Sequence, residues 1–150
     1  MKFSLWTDYG ALNSGPVFDA FANSLVDNGH TVVYNDSSAD VDCIWSVLFN
    51  GRMARNKTIW ENKKPTIVLE VGGINRGTTW KVGLNGINRD AYFGEQDNDR
   101  TRADHLGLVC KPWRSNGDFI LICGQHDKSL QWQNMPPMSN WFLNIYDEIR

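Results

Sequence analysis

The segment Thr66-Ile67-Val68-Leu69-Glu70-Val71 is apolar or β-branched at every position but one, with almost no alternation between polar and apolar side chains. A strand of that kind has no face to give to water. It must lie in a sheet covered on both sides, the usual setting of parallel strands joined by helical crossovers. Two further runs fit beside it. His30 to Tyr34 reads as a short buried strand, and Cys43-Ile44-Trp45-Ser46-Val47-Leu48 as another rich in residues that suit a pleated surface.

The helices fall between these strands. Lys2 to Trp6 leads through a polar loop with Gly10 and Gly15 into an amphipathic run from Val17 to Asn28. Ser14 is placed to cap that helix, Pro16 suits its first turn, and Phe18, Phe21, Ala22 and Leu25 recur at the helical period before Gly29 stops it. After the turn signal Asn50-Gly51, the run Arg52 to Lys63 predicts a second helix with Met53, Ala54, Ile59 and Trp60 on its apolar side, ended by Pro65. The fold class implied is α/β, a Rossmann-like parallel sheet flanked by helices.

From Gly72 to Gly117 the texture turns to Gly, Asn, Arg and Asp, with turn signals at Asn85-Gly86 and Asn116-Gly117 and a short helix expected over Asp99 to Leu106. Gly-Ile-Asn-Arg occurs twice here, ending at Arg76 and at Arg89. The echo reads either as chance reuse of turn-forming residues or as two loops that each present an arginine to an anion. Phe119-Ile120-Leu121-Ile122-Cys123 then reads as a strand, followed by a loop from Gly124 and a helical run from Ser139 to Arg150. That pattern repeats the opening of the chain. It predicts an N-terminal domain over 1–111 and, over 112–150, a linker with the start of a second Rossmann-like domain that continues past Arg150.

Charge and cysteine content narrow the function classes. A formal charge of -2 offers no electrostatic footprint for a nucleic-acid backbone. Three cysteines, Cys43, Cys110 and Cys123, lie in or beside apolar runs without the spacing of a metal or redox pair, and read as buried free thiols of a reducing compartment. The first acidic residue comes at Asp8, too early for a signal peptide, and no apolar stretch approaches a membrane span. A soluble, cytoplasmic protein is expected.

Three places and one residue type could carry chemistry. In open α/β sheets ligands sit outside the carboxyl ends of strands, which singles out the Thr7–Ser14 loop, with Asp8, Gly10 and Ser14. Its lack of a dinucleotide or P-loop fingerprint argues against nicotinamide and ATP. Glu70, just before Gly72-Gly73, would lie at the same sheet edge, either as a general base or as an acceptor for the glycine turn. Gly124-Gln125-His126 could meet a phosphate, and His126 has no partners at metal spacing. Of the tryptophans, Trp45, Trp60 and Trp141 have core spacings, while Trp80, Trp113 and Trp132 lie in polar surroundings where a ring can stack on a sugar.

Trp6-Thr7-Asp8-Tyr9-Gly10, Gly29-His30-Thr31-Val32-Val33, Glu70-Val71-Gly72-Gly73 and Ile120-Leu121-Ile122-Cys123-Gly124-Gln125 together resemble a GT-B-type glycosyltransferase, of the kind found in tailed phages and in surface-polysaccharide assembly. The resemblance implies two Rossmann-like domains facing a cleft, a nucleotide-sugar donor, a carbohydrate or other hydroxyl acceptor, and no bound metal or other cofactor. It assigns Glu70 and Asp8 as candidates for the acceptor-side base, and Gly124, Gln125 and His126 to the donor phosphates. Gly10, Ser14, Gly72, Gly73, Arg76 and Arg89 would line the acceptor-side loops. For a phage-encoded protein the compartment would be the host cytoplasm. A sugar-nucleotide epimerase and a non-catalytic flavodoxin-like module that binds a nucleotide or a protein are the alternatives.

Overall fold

The computed structural model describes residues 1–92, 94–95, 99–129, 132 and 134–150, apart from the side chain of Arg89. The chain forms two compact units, Met1–Phe93 and Gly94–Arg150. The division falls inside the polar segment, ahead of the boundary near 111 that the sequence suggests.

The first unit is built on a five-stranded sheet in the order β2-β1-β3-β4-β5. Its strands are β1 (Lys2–Leu5), β2 (Thr31–Tyr34), β3 (Val41–Trp45), β4 (Thr66–Val71) and β5 (Trp80–Leu84). The first four run parallel, while β5 returns antiparallel along β4 with Glu70 opposite Lys81 and Val71 opposite Trp80. Every residue of β3 is buried, the charged Asp42 included, and Val68 and Leu69 of β4 have no exposed surface, as the apolar run of β4 requires. β2 departs from expectation. It lies at the sheet edge, half-buried at best, with Tyr34 52 % exposed, because only β1 pairs with it.

Side-chain alternation sends the strand residues into two apolar layers. On one face α1 (Gly15–Asp27) packs Val17, Phe18, Ala22 and Leu25 against Phe3, Leu5, Cys43, Trp45 and Leu69. On the other, Ile59 of the short α2 (Asn56–Glu61) joins Ile44, Val68 and Ile87, with Trp6 and Trp60 at the margin. The end of α1 follows the sequence signal closely. Gly29 takes φ +76°, its N–H bonds to the Val26 carbonyl at 2.9 Å, and the His30 N–H bonds to that of Leu25 at 3.0 Å. Its start differs in one respect: the Ser14 hydroxyl donates to the Ala11 carbonyl at 2.7 Å rather than capping the helix.

The polar segment after β4 contains the strand that sequence reading missed. Trp80 of β5 packs on Trp45 with ring centroids 5.9 Å apart, so it serves the core rather than an open stacking surface. Both copies of the tetrapeptide echo place asparagine in the left-handed region, Asn75 at φ 47° and Asn88 at 58°. Beyond that they diverge, since Ile74 is 53 % exposed and Ile87 is 3 % exposed. The echo is thus a shared turn preference in different surroundings.

In the second unit α3 (Thr101–His105) falls where a short helix is expected, and α4 (Met138–Ile149) follows the last amphipathic run. The segment 119–123 is not a strand. Phe119, Ile120 and Leu121 are 82, 65 and 76 % exposed, and no strand occurs among the described residues of this unit. An apolar run acquires strand structure only by pairing, and among the described residues none pairs with it. The cysteines are also corrected: Cys43 is buried, whereas Cys110 and Cys123 are exposed. Trp132 meets Trp141 edge-on with centroids 5.5 Å apart, and Trp113 is 95 % exposed. Among the described residues no helix is long and apolar enough to cross a membrane.

Candidate functional site

The strand order places a topological switch between β1 and β3. The chain leaves β1 toward β2 on one side and returns to β3 on the other, the point of an open α/β sheet outside whose strand carboxyl ends ligands are generally taken. The β1 loop, Thr7–Tyr9, is one 3₁₀ turn. After β3, Ser46 turns the chain at φ 60°, and a second 3₁₀ turn, Gly51–Arg55, leads into α2.

Asn56 ties these loops together. Fully buried, it donates its amide to the Trp45 carbonyl at 2.8 Å and to the Tyr9 carbonyl at 3.3 Å, while its own Oδ1 is buried without a hydrogen-bond partner. Asn35, at the end of β2, accepts the Asp8 backbone N–H at 3.3 Å and donates to the Thr7 hydroxyl at 3.4 Å. The buried Asp42 carboxylate accepts the Trp6 indole N–H at 2.8 Å. The β1 loop is therefore held from three elements, β2, β3 and α2.

On this support the aromatic and cationic groups stack. Tyr9 lies nearly parallel to Trp6, at 15° with centroids 6.1 Å apart. The Arg55 guanidinium sits over the Tyr9 ring, 5.6 Å from its centroid, and donates to the Tyr9 hydroxyl at 3.3 Å. Asp8 projects from the same turn and is exposed.

Each expected site residue now has a position. Asp8, on the turn after β1, and Glu70, near the end of β4, share the carboxyl edge of the sheet, and their strands are two ladder spacings apart, about 10 Å. Glu70 is half-buried and accepts the Val71 backbone N–H at 2.9 Å. Gly10 is held tight, since a Cβ there would meet the Phe18 ring at 3.2 Å and the Ser14 hydroxyl more closely still. Gly72 and Gly73 open the β4–β5 hairpin: the Gly72 N–H bonds to the Thr79 carbonyl at 2.9 Å, leaving no room for a side chain. Arg76 is exposed at the hairpin tip, and the Arg89 side chain lies outside the described residues.

Gly124, Gln125 and His126 belong to the second unit and serve a local turn there. The His126 N–H is accepted by Gln125 Oε1 at 3.0 Å, and His126 Nδ1 accepts the Lys128 N–H at 3.0 Å. Gly124 lies against Phe142, which a Cβ would approach to 2.7 Å. The first N–H of α4, from Met138, bonds to the Asp127 carboxylate at 2.6 Å. That helix start is thus met by a carboxylate of the chain itself.

Sequence reading missed Asn35, Arg52, Arg55 and Asn56. The one signal available was the spacing of two arginines three residues apart after Asn50-Gly51. No cluster of three or more metal-ligating side chains occurs among the described residues. Comparison with protein families, curated proteins and solved structures finds no match.

Proposed function

We infer that the protein acts on carbohydrate, transferring a sugar from a nucleotide-sugar donor to an acceptor hydroxyl, with the β1–β3 switch point as the acceptor-side site. The observation that carries this reading is the exposed Asp8 carboxylate on a short turn pinned by Asn35 and Asn56, at the switch point where open α/β sheets take their ligands. In the reaction Asp8 accepts the acceptor hydroxyl's proton as that oxygen attacks the anomeric carbon. The bond from that carbon to the nucleotide diphosphate breaks, and the leaving group takes its electron pair. Pinning the turn reduces the freedom Asp8 loses on reaching the reactive geometry.

Glu70 suits a supporting role better. It stands in register with Lys81, whose ammonium donates to Asn88 Oδ1, and its carboxylate already accepts the Val71 backbone N–H. The order of the strands, though not the antiparallel direction of β5, is also that of flavodoxin-like sheets, so ligand binding without transfer at the same switch point is the second reading. The deciding experiment incubates the protein with a panel of nucleotide sugars and hydroxyl acceptors and follows nucleotide diphosphate release together with the glycosylated product. Acceptor-dependent release that disappears in Asp8→Asn supports transfer. Ligand binding with no product from any pair supports the binding module.

A further inference from the structure

Arg52 and Arg55 stand three residues apart on one 3₁₀ turn. Side chains at that spacing eclipse in a 3₁₀ helix, so both guanidiniums leave the same side of the turn, the side on which Arg55 lies over Tyr9. Both are exposed, and among the described residues neither forms an ion pair; Arg55 bonds only to the neutral Tyr9 hydroxyl, and Arg52 makes no hydrogen bond. A surface arginine usually finds a carboxylate or swings free. Here one is held against an aromatic ring, and the turn carrying both is fastened to the β1 loop through the buried Asn56.

The stack also limits what can bind. Tyr9 is already engaged by Trp6, stacked at 15°, and by Arg55 over its ring, which leaves less of that ring for a sugar or base to lie on. What remains open is the guanidinium donors, which match the oxygens of a phosphate in a forked geometry. We propose that Arg52 and Arg55 form an anion subsite beside Asp8 that takes the phosphate of a phosphorylated sugar. This rests on the reading of the β1–β3 switch point as a carbohydrate site, and it adds the substrate class: a sugar carrying phosphate rather than a neutral one. The phosphate could be a monoester on the acceptor or the diphosphate of a nucleotide sugar.

Calorimetry on the full chain with hexose 6-phosphate, UDP-glucose and the neutral disaccharide maltose, at low and high salt, tests the subsite. At least one phosphorylated probe should bind, with affinity that falls as salt rises. Arg52→Gln, which removes no contact seen in the fold, should weaken that probe roughly tenfold, and Arg52→Gln/Arg55→Gln further, with melting temperature unchanged in the single variant. The probe that loses affinity identifies the source of the phosphate. Equal binding of phosphorylated probes by wild type and both variants would overturn the subsite. Binding of maltose alone would also overturn it while leaving the carbohydrate reading intact. If none of the three probes binds, the subsite falls together with that reading.

Discussion

Asp8 and Glu70 share a sheet edge but differ in what already occupies them, and substitution should separate their roles. Asp8→Asn keeps the loop's shape and removes the base, so turnover should fall by about 10²–10⁴-fold with little change in melting temperature. Glu70→Gln should lower the melting temperature slightly and leave turnover per folded molecule near normal, since its carboxylate accepts the Val71 N–H. The reverse pattern would transfer the base to Glu70. Asp36 gives a pH signature: the Ser38 backbone N–H, then Lys2 and the Ser38 hydroxyl, lower its carboxyl from the ordinary 3.8 to about 2. Because its pKa is lower in the folded chain, its stabilising contribution is present above pH 4 or so and is lost as pH falls toward about 2. Asp36→Asn should flatten that part of the acid-unfolding curve. The thiols make a third test, since burial and the Asp42 charge push Cys43 up to about 12, while Cys110 and Cys123 are exposed. Mass spectrometry after alkylation of the native protein should show Cys110 and Cys123 modified, and Cys43 modified only on denaturation.

Among the elements, the β4–β5 hairpin depends most on one backbone position. Gly72 pairs so closely with Thr79 that a Cβ would come within 2.6 Å of the Thr79 carbonyl oxygen, and a backbone atom cannot turn aside as a side chain can. Gly72→Ala should therefore cost about 1–3 kcal/mol in denaturant unfolding, the range for overpacking. Gly73 has open space around the same position, so Gly73→Ala is the matched control and should cost much less. Equal losses at the two sites would mean that the hairpin yields more readily than its contacts imply. The hairpin bears on function through Glu70 and Lys81, which it aligns, and it covers the outer edge of β4.

At the scale of the whole molecule, buried apolar surface is distributed unevenly. Among the described residues every buried hydrophobic side chain lies at or before Ile87, whereas α4 has none. A sheet whose two apolar layers are complete within the first unit has what it needs for cooperative folding. A fragment ending at residue 93 should accordingly give a single unfolding transition, with a midpoint close to that of the full chain. Loss of that transition would show that the second unit contributes to the stability of the first.

Much of the first unit was readable because local signals there agree with burial. The unbroken apolar run fixed β4 at Thr66–Val71, and Pro16 with Gly29 bracketed α1 within a residue or two. The placing of Asp8 and Glu70 at one edge followed from strand direction alone. What sequence could not decide depends on partners distant along the chain. β2 is an edge strand and β5 exists because of what pairs beside them, and residues 119–123 stay unpaired although their composition suits a strand. Asn56 shows the same limit in one side chain. In sequence it is a polar residue within a weak helix, while in the fold its amide joins Tyr9 to Trp45 across 47 and 11 residues of chain. Residue order sets periodicity, turns and caps, because those interactions span only a few positions. Pairing and burial are set by contacts between distant segments, and only the tertiary structure determines which segments meet.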